Sequence, residues 1–432
     1  MFAELKKSVG KLNYPSVSIL TAIAAFGAYT CMYAFRKAFA AGTFPDQQIL
    51  GLDYKVWLVI AQVLGYTLSK FYGIRFISAL NPKRRGFYTI ALIAFSWLAL
   101  LGFALIPSPY NIICMFFNGL PLGLIWGLVF GYLEGRRATE FMAAILSVSL
   151  IFASGFVKTI GRLLILEFNI TEFWMPFLTG LCFVIPLLVF VLLLESIPSP
   201  DEKDIASRTI RLPMTSTERK DFLYRFLPGI IFTVAIYMLL TVIRDLRDNF
   251  EVEIWADLGY TNVFIYSKID TLVSILVLIA MASLVMVKNH VKAFKLIHWA
   301  IIIGCLFTGL GTLFFNMGLI NPVVWMTMVA LGLYLGYIPY NAIFFERMIA
   351  AFKTKSNVGF IMYIADAMGY LGSISVLLFK EFSKTPISWG AFFKEGVLTV
   401  SIVGGICVVC SLIYFSKKSQ DQINTSIPIN NL

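Results

Sequence analysis

Long apolar runs, parted by short polar and basic connections, set the pattern of this chain. Runs such as YTIALIAFSWLALLGFALI (88–106) and FLTGLCFVIPLLVFVLLL (177–194) carry no charge. At about 1.5 Å per residue, each is long enough to cross a hydrocarbon core about 30 Å thick as a helix. A helix also satisfies its backbone hydrogen bonds within one segment, which the bilayer demands. Twelve such spans are predicted, at 16–42, 55–76, 87–106, 109–133, 141–165, 174–195, 223–247, 262–287, 296–316, 322–345, 357–379 and 396–415. The pattern specifies an all-α polytopic membrane protein. The polar start, MFAELKKSVGKLNYP, precedes an apolar run too long for a cleaved signal, so that run reads as a retained first span.

The longest internal polar connection, SIPSPDEKDIASRTIRLPMTSTERKD (196–221), falls at the midpoint. It divides the chain into an N-terminal six-helix half (1–195), a linker (196–221) and a C-terminal six-helix half (222–432). The halves echo each other. GLPLGLI (119–125) and GLYLGYI (332–338) open corresponding spans, which close on EGRR (134–137) and ER (346–347). Tyr29, Tyr33, Arg36 and Lys37 likewise overlay Tyr237, Thr241, Arg244 and Asp245. Two six-helix halves with weak repeats point to a secondary transporter with pseudo-symmetric halves and a binding site at the repeat interface. Gly119, Gly123, Gly127 and Gly131 recur every four residues and read as a stripe for close helix packing.

Composition supports the membrane reading: 59% of residues are hydrophobic and only 14% charged, against about 25% charged in soluble domains. The formal net charge of +11 would suggest nucleic acid in a soluble protein. Here it follows from the cytoplasmic excess of Lys and Arg. The cations gather in the N-terminal tail, in NPKRR (81–85), GRR (135–137), the linker, KNHVKAFK (288–295) and ERMIAAFKTK (346–355), and at Lys417 and Lys418. Lys55, Lys380, Lys384 and Lys394 fall on the other side. Both termini are therefore expected in the cytoplasm, with the protein in a bacterial inner membrane as a monomer and without a nucleic-acid partner.

Metal, cofactor and enzyme chemistry find little material. The six cysteines all lie in apolar segments, and the CVVC at 407–410 has no histidine or acid beside it. His290 and His298 are the only histidines, so no metal-ligand cluster is expected. No His-Glu-x-x-His or Gly-x-Gly-Asp motif occurs, and an enzyme is not expected.

Candidate chemistry lies in charges placed inside spans. Arg36, Lys37, Lys70, Lys158, Arg162, Arg244, Arg247 and Lys268 fall within or at the edge of the predicted spans, against the acids Asp245, Asp270 and Asp366. Each such charge costs about 2.5–3.5 kcal/mol at a helix centre, so a positive surplus implies water, a partner or a ligand. Arg162, Arg247 and Lys268 are placed to snorkel or ion-pair near helix ends. The polar residues form stripes at helical spacing: Tyr29, Tyr33, Arg36 and Lys37; Gln62, Tyr66, Ser69 and Lys70; Ser154, Lys158 and Arg162; Tyr237, Thr241, Arg244, Asp245 and Asp248; Tyr334, Tyr337 and Asn341; Tyr363, Asp366 and Tyr370. A polar stripe on an apolar helix faces protein or a cavity rather than lipid. The apolar run continues past Arg36 to Phe44, so Arg36 is not read as a helix end.

YAFRKAFA (33–40), GYTLSKFYG (65–73) and NPKRR together resemble the first two helices and following loop of the organophosphate:phosphate antiporters. These are the glycerol-3-phosphate and hexose-6-phosphate transporters of the major facilitator superfamily. Tyr33, Arg36, Lys37, Phe39, Tyr66, Ser69, Lys70, Phe71, Asn81 and Pro82 keep that pattern. The resemblance implies the twelve-helix major facilitator fold. It also implies that Arg36 and a seventh-helix arginine, Arg244, grip phosphate, with Lys37 and Lys70 adding positive field. Arg247 lies close enough to Arg244 to be the seventh-helix cation instead. Two departures stand out. Ala153 occupies the place of a fifth-helix histidine of the glycerol-phosphate members, with Lys158 the nearest cation. Ser78 and Ala79 stand where the superfamily's loop signature has Asp-Arg.

The expected substrate-binding set is therefore Arg36, Lys37, Lys70, Arg244, Lys158, Tyr33, Tyr66 and Asp366. Glu134, Arg136, Glu346 and Arg347 are candidate gate residues, pairing when the cytoplasmic side closes or anchoring helix ends. The expected function is alternating-access transport of a small organic anion, such as a phosphate ester exchanged for inorganic phosphate. The alternatives are proton-coupled symport of a carboxylate such as a hexuronate, with Asp366 or Glu134 as proton carrier, and a non-transporting sensor on the same fold.

Overall fold

The computed structural model describes residues 2–45, 47–206, 216–352, 358–383 and 387–426. The side chains of Tyr363 of the eleventh-span stripe and of Arg75, Ser78 and Ala79, the basic Lys353, Lys355 and Lys384, and linker residues 207–215 lie outside the described set. The long helices are α1 (Tyr14–Arg36), α2 (Tyr54–Ala79), α3 (Arg85–Leu105), α4 (Ile112–Leu133), α5 (Thr139–Leu166) and α6 (Met175–Ser196). They continue as α7 (Ser216–Asp257), α8 (Ile265–Val285), α9 (His290–Asn316), α10 (Pro322–Ala351), α11 (Val358–Phe382) and α12 (Trp389–Asp421). Among the described residues, ten of these helices are long and apolar enough to cross a membrane. The other two, α2 and α11, have 26 and 25 residues. The protein is an integral, multi-pass membrane protein of all-α class.

Local sequence explains several helix starts. Asn13, Asn289 and Asn321 each accept a hydrogen bond from a backbone N–H of the first turn, from Ser16, Lys292 and Val324 respectively. This is the preferred capping chemistry. Proline follows the cap at Pro15 and Pro322, where its missing N–H costs nothing. Large apolar side chains such as Leu98, Ile185, Ile279 and Ile406 are exposed on the helix exteriors, as lipid-facing surfaces require.

Several helix ends lie up to ten residues from their predicted places, and two of the differences bear on the site. The first helix ends at Arg36, not at 42. The Lys37 N–H still bonds to the Tyr33 carbonyl, but Lys37 leaves helical geometry at φ −115°, ψ 1°, and Ala38–Ala41 continue as a buried 3-10 turn. Arg36 is thus the last α-helical residue, contrary to the reading of the apolar run. The seventh helix continues past 247 to Asp257, with a kink at Phe250. The polar run read there as a loop is helical because its charged side chains find buried partners.

The chain forms two compact units: Met1–Arg208 with Asp245–Leu278 and Ile374–Phe392, and Thr209–Arg244 with Ile279–Ser373 and Phe393–Leu432. In the first unit α1 packs on α5 and α6, and α4 packs on α2 and α3. The glycine stripe of α4 makes the contact with α2 possible. A Cβ on Gly119 would stand 2.2 Å from the Gln62 carbonyl oxygen, and one on Gly123 would stand 2.7 Å from that of Tyr66. In the second unit α9 packs on α10 and α12. There Gly332, the repeat counterpart of Gly119, approaches Gly304, and a Cβ on either would meet the other's carbonyl oxygen at 2.4 Å. The repeated glycines thus serve close helix contacts in both units. α10 also contains a π-turn, Tyr340–Phe344, immediately after Pro339.

Candidate functional site

In the first unit the resemblance-bearing residues of α1 and α2 come together around Arg36. Its guanidinium carbon lies 3.9 Å from the centroid of the Tyr66 ring and 5.8 Å from that of Tyr33. The Lys70 ammonium lies 5.3 Å from the Tyr66 ring. Cations over aromatic faces are attracted by the ring quadrupole. Tyr29 extends the aromatic wall, with ring centroids 5.9 Å from Tyr33 and 5.1 Å from Trp126. A polar clamp fixes the backbone that carries Arg36. Gln62 Nε2 donates to the Arg36 carbonyl at 2.6 Å and to Asn118 Oδ1 at 2.7 Å. Asn118 Nδ2 in turn donates to the Phe35 carbonyl at 2.9 Å and to Ser96 Oγ at 2.7 Å. Asn118 and Ser96 were not among the sequence candidates; each has one small polar companion seven positions before it, Asn111 and Thr89, too sparse a pattern to read as a stripe.

Lys37 points elsewhere. Its ammonium donates to Asn249 Oδ1 at 2.6 Å and pairs with Asp248 Oδ2 at 3.1 Å. Lys158, fully buried on α5, pairs with the same Asp248 at 3.3 Å and with Glu251 Oε2 at 2.8 Å, and donates to Ser154 Oγ at 2.7 Å. Ser154 Oγ also donates to Asp248. Arg247 Nη2 reaches Glu251 Oε1 at 2.8 Å and Asp270 Oδ1 of α8 at 2.6 Å. Three bases and three acids therefore form one buried, formally neutral cluster. Beside it, Lys55, expected on the outer side at the start of the second span, is buried and held by Glu253 at 2.5 Å and by the Ala40 carbonyl at 3.1 Å. Glu251 and Glu253 lie beyond the predicted end of the seventh span. They reduce the positive surplus that the sequence implied within the membrane.

The second unit holds a related arrangement. The Arg244 guanidinium carbon lies 4.4 Å from the Tyr337 ring centroid, and Arg244 Nη1 donates to the Tyr337 hydroxyl. The Tyr237 ring stacks on Tyr337 at 5.5 Å, and the Tyr237 hydroxyl donates to Asp366 Oδ1 at 2.5 Å. Tyr340, from the π-turn, meets the Tyr237 ring edge-on at 5.5 Å. Three sequence stripes, on α7, α10 and α11, thus converge on Arg244 and Asp366. Of the two seventh-helix arginines, Arg244 belongs to this aromatic site and Arg247 to the charge cluster.

The candidate gate residues sit at helix ends. Glu134 terminates α4. Arg136 donates to the carbonyls of Tyr132 at 3.2 Å and Pro198 at 2.5 Å. Its neighbour Arg137 binds Asp204 at 3.2 Å and Asp201 at 3.3 Å, and lies 4.0 Å over the Tyr14 ring. Burial alone would raise the Asp204 carboxyl. The backbone N–H groups of Arg137 and Asp201 and the Arg137 guanidinium outweigh it and hold Asp204 below the usual carboxylate range. Glu346 and Arg347 follow the π-turn of α10. Arg347 donates to the carbonyls of Val287 at 3.1 Å and Val285 at 3.3 Å, and lies 3.1 Å from His290 Nδ1.

The helix order and these convergent polar stripes define a membrane protein of the major facilitator fold. The likeness to a D-xylose-proton symporter crystal structure covers 94% of this chain and 98% of that one, with TM-score 0.62 at 13% identity. For the inward-open xylose transporter XylE from E. coli, the shares are 91% and 94%, with TM-score 0.57 at 13% identity. At such identity the likeness is one of fold. No curated protein matches the sequence. The chain belongs to DUF5690, a family of unknown function whose pattern matches residues 38–418.

Proposed function

We propose that this protein is a secondary active transporter that moves a small organic anion by alternating access. The observation that carries this reading is the pair of arginine–tyrosine sites: Arg36 on Tyr66 with Lys70 and Tyr33, and Arg244 on Tyr337 with Tyr237 and Asp366. Guanidinium forks bind phosphate or carboxylate in a bidentate manner, while a lysine acts as a point charge. Tyrosine faces suit the carbon skeleton of a polyol or sugar. The leading cargo is a phosphate ester exchanged for inorganic phosphate, on the resemblance at Tyr33, Arg36, Lys37, Tyr66, Ser69 and Lys70.

In this reading Arg36 and Arg244 are the cargo-binding arginines of the halves 1–195 and 222–432, which the linker 196–221 joins. Lys37 and Lys158, paired within the neutral charge cluster in this structure, add positive field when that cluster opens, and Glu134, Arg136, Glu346 and Arg347 mark the cytoplasmic helix ends that rearrange. Both termini lie in the cytoplasm of a bacterial inner membrane, and the transporter acts as a monomer. The fold, shared with transporter structures, gives no support to an enzyme.

A second reading is proton-coupled symport of a carboxylate such as a hexuronate. It is favoured by Asp366, an acid hydrogen-bonded to Tyr237 beside the Arg244 site.

Uptake of labelled inorganic phosphate into proteoliposomes preloaded with phosphate, competed by a panel of anions, tests the proposal. Saturable exchange blocked by one phosphate ester supports the leading cargo. Carboxylate uptake driven by a pH gradient, without phosphate exchange, supports the second. Transport of neither anion class, with intact reconstituted protein, overturns the transporter reading.

A further inference from the structure

The buried charge cluster is more than a static brace, because its acids are unequally supported. Glu251 is held on both oxygens, Oε1 by Arg247 and Oε2 by Lys158. Asp248 is held by Lys37, Lys158 and Ser154. Asp270 receives only Arg247, and it shares that Nη2 atom with Glu251. Its second oxygen, Oδ2, accepts no hydrogen bond among the described residues, although the side chain is fully buried.

Gly155 of α5 abuts this oxygen. A Cβ there would stand 2.7 Å from Asp270 Oδ2 and 2.3 Å from the Tyr266 carbonyl oxygen. The charges acting on Asp270 are Arg247 and Glu251 from α7 and Lys158 from α5. Lys37 from α1 is linked to them through Asp248, while Tyr266 of α8 and Arg162 of α5 lie beside the cluster. A buried carboxylate with one bare oxygen and a second carboxylate on the same donor is costly in its charged form. A proton on Oδ2 removes that cost, whereas water does so when the helices part.

We propose that Asp270 is a proton-binding site that latches this end of the helix bundle. It takes a proton from water, becoming a neutral carboxylic acid, when α7 and α8 close on α1 and α5. It returns the proton to water when they part. A group that holds its proton more tightly when closed makes closure more favourable as pH falls. The latch therefore ties a proton to the conformational cycle, whatever anion is carried, and the site is distinct from Asp366 and Glu134.

Hydrogen exchange of the segment 245–257 in lipid nanodiscs, corrected for intrinsic rates and followed from pH 8 to pH 6, tests this without any substrate. Protection is expected to rise as pH falls, by up to about tenfold per pH unit, the limit for one proton. Asp270→Asn, a neutral mimic of the protonated acid, is expected to be protected at both pH values with no dependence. Infrared titration provides a second measure: a carboxylic-acid C=O band present in the wild type and missing in D270N. Protection that is independent of pH, that falls with falling pH, or that keeps its pH dependence in D270N overturns the proposal. So does an infrared band unchanged by the substitution. None of these readings depends on transport, so failure of the anion-transporter reading is recognised separately by the vesicle assay.

Discussion

Lys158 Nζ lies 2.8 Å from Glu251 Oε2, and neither side chain is exposed. Lys158 is therefore the hinge of charge compensation on α5, since it also pairs with Asp248. Removing one member of a buried pair leaves the other charged and desolvated, which costs about 3–5 kcal/mol. Lys158→Met is expected to lower the thermal midpoint in detergent strongly. The double variant Lys158→Met/Glu251→Gln is expected to regain part of the loss, as a thermal-shift series would show.

Gly155→Ala tests the approach of α8 to α5. The added methyl would meet the Tyr266 carbonyl at 2.3 Å, a backbone atom that cannot swing aside. Overpacking of this kind costs about 1–3 kcal/mol. The same methyl falls 2.7 Å from Asp270 Oδ2, so the variant should also lose protection at 245–257 in hydrogen exchange. A stability equal to wild type would mean that the two helices do not meet at this residue.

Arg36 should be separable from folding. Arg36→Lys keeps the charge but loses the planar fork that lies on Tyr66. Anion uptake is expected to fall by tenfold or more, about 1.4 kcal/mol, and Arg36→Ala should abolish it with expression retained. Full activity in R36A would remove Arg36 from the cargo site.

Asp204 sets a pH expectation for the linker. Its carboxyl is held below the ordinary range, so the stabilisation it gives is present above the unfolded carboxylate value. That stabilisation is lost only as pH falls through the lowered folded value. The anchor between Arg137 and the helix Glu202–Ala206 should thus be indifferent to pH between 6 and 8. Asp204→Asn is expected to speed proteolytic cleavage of the linker at neutral pH relative to wild type.

Much of the architecture was legible because lipid imposes one rule on every span. Apolar length located the helices, and the repeated Gly119 and Gly332 marked real close contacts. The stripes on α7, α10 and α11 marked protein-facing helix sides, and it took the structure to show that Arg244, Tyr337, Tyr237 and Asp366 meet there. What stayed hidden was pairing at long sequence distance. Asp248 and Glu251 meet Lys37 and Lys158 from far along the chain, so a window of hydropathy reads the end of α7 as a polar loop. Asn118 was invisible for a related reason: with Asn111 two turns away as its one amide companion, the apolar run shows no clear stripe, yet Asn118 braces the backbone at Phe35.

For the transporter proposed above, the seat of Arg36 also bears on how cargo would be chosen. With Tyr66 covering one face of the guanidinium and its carbonyl clasped by Gln62, the side chain is fixed during folding and not on ligand arrival. Ordering costs that a flexible receptor meets at each binding event are absent here. On the proposed function, cargo would be selected by whether its oxygens lie in the plane of the guanidinium edge, and flat molecules that would compete by stacking would find that face already taken.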